Sequence, residues 1–218
     1  MRSLVFASLV TVLLVTGAAN AANITVRAEG VLSEFFDPEG LLPFSEPPAG
    51  ALFSFSIVYD DTTDSTPGPP PGIASYPGPF VSLQFGINGQ NYGPLERERI
   101  VIVNDRADSG VFVDQWDAAT QTVSPGTVGP RFEAISLSLF TTSPTAPVEV
   151  LDSTDLVPPL GLEAWENGFI SYSIFEPDAQ QTLATARAEI TSLTVVPVPA
   201  AAWLFGSALA VLGWIRRR

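Results

Sequence analysis

The chain has 218 residues, 46% of them hydrophobic, with 23 Asp and Glu against 10 arginines and no lysine, histidine or cysteine. Those absences exclude disulfides, thiol nucleophiles, Ser-His-Asp and Ser-Lys machinery, phosphate-binding P-loops and ordinary zinc sites. Carboxylate chemistry and the binding of hard cations through oxygen ligands remain open.

The N-terminus reads as a secretory signal. Met1-Arg2-Ser3 gives a positive start, and Leu4 to Val15 is an apolar run broken only by Ser8 and Thr11. Ala19 and Ala21 then form an A-x-A arrangement, so cleavage is expected after Ala21 and residues 1–21 are set aside as signal peptide. Residues 22–195 are expected to form one exported domain, large enough to bury its own core. All 23 carboxylates lie there with six arginines, for a formal charge of −17. Such a surface repels phosphate backbones, which argues against nucleic acid as a partner.

Strand signals follow in chain order. An opening strand is expected near Asn23 to Leu32. In LFSFSIVYD, Phe53, Phe55, Ile57 and Tyr59 alternate with Ser54, Ser56 and Val58, the period of a half-buried strand. STPGPPPGIASYPGP (65–79) carries six prolines in fifteen residues and predicts an extended surface loop outside any ladder. Val81, Leu83, Phe85 and Ile87 alternate again before Asn88-Gly89, a tight-hairpin pair. Residues 100–103, 111–116, 132–140, 168–175 and 186–196 supply five further strands, with a short helix as the alternative for DAQQTLATARAEI. Short strands at this spacing predict an all-β fold, an antiparallel sandwich or jelly roll.

Two acidic regions are candidate cation sites. Asp60, Asp61 and Asp64 cluster at the end of a strand and are candidate calcium ligands, although the spacing is not that of an EF-hand and Asp equally suits a turn. Asn104-Asp105, Asp108, Asp114 and Asp117 form a second acidic stretch, read as a loop region. No other cofactor is implied. Trp116, Trp165, Tyr76, Tyr92 and Tyr172 are candidate platforms for sugar rings, with core packing as their default role. No catalytic residue is singled out: glycoside hydrolysis needs only two carboxylates about 5–10 Å apart, and among 23 acids some pair always meets that condition.

The chain closes on VPVPAAAWLFGSALAVLGWIRRR (196–218). Ala200 to Ile215 holds no charge, and counting from Val195 the run reaches 21 residues, against roughly 20 for a spanning helix. Trp203 and Trp214 sit near its two ends, as interfacial rings do, and Arg216, Arg217 and Arg218 are expected to stay in the cytoplasm, stopping and orienting the span. A lipid-anchor signal is the rival reading, but such tails normally end apolar.

In its three parts this tail resembles the PEP-CTERM protein-sorting domain in its VPLPA-type variant. Those parts are Val196-Pro197-Val198-Pro199-Ala200, the span from Ala201 to Ile215, and Arg216 to Arg218. Val198 replaces the Leu of the usual variant, and the Glu of the eponymous triplet is missing. The resemblance implies an exosortase as partner, a membrane-embedded cysteine peptidase or transpeptidase of Gram-negative bacteria that make exopolysaccharide and biofilm matrix. It implies a membrane-anchored precursor, then a cell-surface or matrix location. The segments FSIVYDDTTDS, GIASYPGPFVSLQFGINGQNY, IVIVND and DLVPPLGLEAW are similar to an ectodomain that recurs among such sorted proteins and has no established activity. The expected role is structural or in binding extracellular polysaccharide. A secreted carbohydrate-active enzyme using paired carboxylates is the alternative.

Overall fold

A computed structural model describes residues 23–67, 72–108, 111–126, 129–179 and 181–197. The described chain is all-β. Eleven strands form one antiparallel sheet: β1 (Asn23–Phe36), β2 (Leu52–Asp60), β3 (Thr66–Pro67), β4 (Ile73–Pro77), β5 (Phe80–Ile87), β6 (Gln90–Tyr92), β7 (Arg97–Asp108), β8 (Val111–Pro125), β9 (Pro130–Ser143), β10 (Asn167–Glu176) and β11 (Gln181–Pro197). Their order across the sheet is β3-β4-β7-β8-β9-β10-β11-β1-β2-β5-β6.

The sheet must curl strongly. β4 and β5 lie near its opposite ends, yet only Gly78 and Pro79 join them, a link that can span no more than about 11 Å. Gly78 N–H donates to the Glu98 carbonyl at 2.9 Å and Asp60 N–H to the Pro79 carbonyl at 3.0 Å, so this short link touches β7 on one side and β2 on the other. Curling closes the apolar face on itself. Phe53, Phe55 and Ile57 from β2, Phe85 from β5, Trp116 from β8, Leu137 and Leu139 from β9 and Ile170 from β10 are all buried there. Removing each such side chain from water contributes about 1.5–3 kcal/mol, which drives the closure. Across the core, Tyr59 meets Trp116 at 6.2 Å and Phe85 meets Tyr172 at 5.8 Å. Two apolar faces therefore oppose each other as a sandwich requires, but the strands that carry them belong to one continuous sheet.

The two long connections bring further apolar side chains to the core. Residues 37–51 bring Leu42 and Ala51 into it, and set Phe44 edge-on against Tyr92 and Tyr172 at 5.0 and 5.5 Å. Residues 144–166 bury Val148, Leu151, Leu156 and Trp165. Polar tips of core aromatics hold the second connection: Tyr76 Oη donates to the Thr154 carbonyl at 2.6 Å, and Trp116 Nε1 to that of Val157 at 3.2 Å.

The proline-rich stretch corrects the expectation of an unpaired loop. Ile73–Pro77 pairs with β7, and Thr66–Pro67 pairs with β4. Residues 73–76 contain no proline, and their alternation buries Ala74 and Tyr76, so a short strand fits between the breakers. DAQQTLATARAEI has one turn of 3-10 helix at Pro177–Ala179 and then runs as strand β11. Among the described residues no helix is long and apolar enough to cross a membrane. The expected span, Arg216 to Arg218, Val198-Pro199-Ala200 and the signal with Ala19 and Ala21 lie outside the described residues. Val196 and Pro197 lie inside them, paired in β11 with Thr25 and Ile24.

Candidate functional site

β9 and β10 carry the same pattern on their outward faces. On β10 the inward residues Ile170, Tyr172, Ile174 and Glu176 are buried, which turns Phe169, Ser171, Ser173 and Phe175 outward. On β9, Ile135, Leu137 and Leu139 are buried, and Phe132, Ala134, Ser136, Ser138 and Phe140 face out. The register sets Ser136 beside Ser171, Ser138 beside Phe169 and Phe132 beside Phe175.

Along this face runs a groove of about 610 Å³, lined by Phe36, Ser138, Phe140, Phe169, Ser171 and Arg187 among others. Phe140 and Phe169 lie 5.6 Å apart at 39°, and the Arg187 guanidinium sits 3.1 Å from the Phe169 ring centre. That cation-π contact fixes the long arginine side chain over the ring. Hydroxyls bond across strands, Ser136 to Ser171 at 2.8 Å and Ser173 to Thr185 at 3.1 Å. Ser138 donates to Asp117 on β8. Burial raises the Asp117 carboxyl above the ordinary carboxylate range, against the opposing pull of Ser138 and Arg99. Aromatic faces, paired hydroxyls and a fixed guanidinium suit a polar ligand that also offers flat apolar surfaces.

The aromatic platforms expected from the sequence belong to the core. Trp116, Trp165, Tyr76 and Tyr172 are buried, and Tyr92 packs against the core cluster. Tyr172 Oη donates to the Glu133 carboxylate, and burial together with that carboxylate raises the phenol above its usual range. The groove uses phenylalanines instead.

Among the described residues no group of three carboxylates stands close enough to share a metal ion. Asp60 Oδ1 accepts the backbone N–H and hydroxyl of Thr62 at 2.9 and 2.6 Å, bonds that hold its carboxyl below the usual range and close a turn. The second acidic stretch is not a loop: Asp114 and Asp117 lie within β8, and Asn104-Asp105 form a break in the β7–β8 register. Asp114 is fully buried and spends both oxygens on backbone amides, those of Asp105 at 2.7 Å, Val150 at 3.1 Å and Leu151 at 2.9 Å. Adding Ca²⁺ to roughly 10 mM is expected to leave the melting temperature unchanged, since an ion stabilises the domain only by binding its folded state. A rise of several degrees, lost in Asp60→Asn or Asp64→Asn, would restore the first cluster as a ligand set. No protein family, curated protein or solved structure matches this chain.

Proposed function

We propose that the protein is an exported surface or matrix protein, sorted by an exosortase through a C-terminal membrane span, whose β-domain binds extracellular polysaccharide without cleaving it. The groove on the outer face of β9 and β10 carries this reading. Half-buried phenylalanines offer stacking faces, and the serines beside them offer hydrogen bonds, the two contacts that a sugar ring needs.

The enzyme alternative asks for two carboxyls about 5–10 Å apart. Glu34 lines the groove on β1 and Asp117 stands beside it on β8. Four strand spacings separate those strands, about 19 Å along the curved sheet. Asp117 has the raised affinity for its proton that a general acid needs, but Glu34 is too distant to serve as its partner. The Glu34–Asp117 pair therefore does not meet the condition, and binding without catalysis is the reading proposed.

Incubation of the protein with a panel of soluble polysaccharides tests this. Retarded migration in polysaccharide-containing native gels is expected, with no release of reducing ends. Turnover abolished by Asp117→Asn or Glu34→Gln would establish the enzyme instead.

A further inference from the structure

We infer that the outer face of β9 and β10 takes a neutral glycan chain laid along β10, with Phe140–Phe169 in the groove as the ring platform at one end and Phe132–Phe175, on the same face beyond the groove lining, at the other. The inference rests on the binding role proposed above and names the class of ligand. Phe132 and Phe175 stack at 5.3 Å and 16°, on the same outward face as Phe169. Phe175 lies six positions along the strand from Phe169, about 20 Å at the rise of an extended chain. Between them lie Ser171 and Ser173, bonded to Ser136 and Thr185. An elongated, hydroxyl-lined track between two aromatic stops fits an extended chain of several sugar rings better than a compact ligand.

Charge decides the kind of chain. Arg187 lines the groove, and Arg106, the cross-strand neighbour of groove-lining Val113, and Arg99 stand on the same face; they share it with Glu34, Glu189 and Asp117: Glu34 is the cross-strand neighbour of Arg187, Glu189 that of Phe169, and Arg99 stands near Asp117. No cationic surplus is left for a polyuronate, and the domain as a whole carries a formal charge of −17. The same charge opposes covering the face with a second copy of the domain, because two strongly acidic surfaces repel. A lipid surface is a poor match for a track of paired serines.

The full-length chain in detergent can be titrated with a neutral β-glucan, a neutral galactomannan and polygalacturonate. At least one neutral glycan should bind, with little change between low and moderate salt, and polygalacturonate should not. Phe169→Ala should weaken binding about tenfold and Phe169→Trp should retain it, since stacking area is what the ring supplies. Phe175→Ala should weaken long oligosaccharides and leave a disaccharide unaffected, with an unchanged melting temperature confirming that each variant is folded. Preference for polygalacturonate would overturn the neutral assignment while leaving a polysaccharide-binding role standing. Failure of both neutral glycans to bind, equal effects of Phe175→Ala on long and short ligands, or a dimer dispersed by Phe169→Ala would each overturn it as well. Release of reducing ends would instead sink the non-catalytic reading.

Discussion

Asp114→Ala is expected to destabilise the domain by about 3–5 kcal/mol. Its carboxylate is fully buried and takes three amide protons, one from the β7 irregularity at Asp105 and two from Val150 and Leu151 in the connection between β9 and β10. Truncation leaves three donors without their acceptor, each costing about 1–3 kcal/mol where water cannot replace it. In a domain of this size the loss corresponds to a fall in melting temperature of roughly 10 °C. Asp114→Asn should recover only part of it, because the carboxamide turns an N–H₂ toward one of those donors. Limited proteolysis supplies the local readout: residues 144–161 should become cleavable in Asp114→Ala before the rest of the domain. Exposed Asp64 is the control, and Asp64→Ala should stay within about 0.5 kcal/mol of wild type. If the two alanine variants melt together, the three hydrogen bonds do not hold the connection.

Strand existence was legible in the sequence wherever one face is apolar. Phe53, Phe55, Ile57 and Tyr59 alternate with smaller or polar residues, and all four are buried in β2. Asn88-Gly89 was equally readable, since both residues adopt positive φ, 49° and 81°, as a tight hairpin turn demands. Strand length was less legible. β8 continues to Pro125 through polar residues that only their neighbours' ladders keep extended. A single curled sheet was beyond periodicity altogether, because alternation says which residues face inward and not which sheet carries them. Gly30 shows one device that curves it. A Cβ there would lie 2.5 Å from the Glu189 carbonyl oxygen, so only glycine lets β1 approach β11 where their register shifts.

The candidate site was written in the chain but carried by residues that are usually ignored. FISYSIF reads as a core strand because Ile170, Tyr172 and Ile174 draw the eye, while the alternate set Phe169, Ser171, Ser173 and Phe175 makes the outward surface. An outward set that begins and ends on phenylalanine is the available signal, and β9 repeats it from Phe132 to Phe140. The tryptophans and tyrosines were natural ring platforms by residue type. Their polar tips have another use here, since Tyr76 and Trp116 tie the connection at Thr154 and Val157 to the core. Asp60 and Asp114 show why clustered aspartates are hard to read: a side chain that accepts backbone N–H groups looks, in sequence, just like one that awaits a cation.

Sorting predicts a mature protein that ends within or near residues 196–200 and lacks Trp203, Trp214 and Arg216 to Arg218. The fold adds a constraint on where the chain can be cut. β11 pairs with β1 through Val195, Val196 and Pro197, so a cut beyond Pro197 leaves every rung of that ladder in place, whereas a cut before Val195 strips the partners of Ile24, Thr25 and Val26. A domain cut beyond Pro197 should therefore melt at the temperature of the unprocessed one. Replacing Pro197 and Pro199 with Ala restores two backbone donors and removes the fixed φ of both positions. If an exosortase recognises the proline motif, recognition is then lost, and full-length protein should accumulate in the membrane. Arg216 to Arg218 replaced by Ser removes the cationic stop and orientation signal beside the expected span, and full export of the intact chain is expected. Mass spectrometry of the C-terminal peptide from producing cells reads all three cases. Recovery of the wild-type chain with its three arginines still in place, from cells that contain an exosortase, would make the tail a plain membrane anchor.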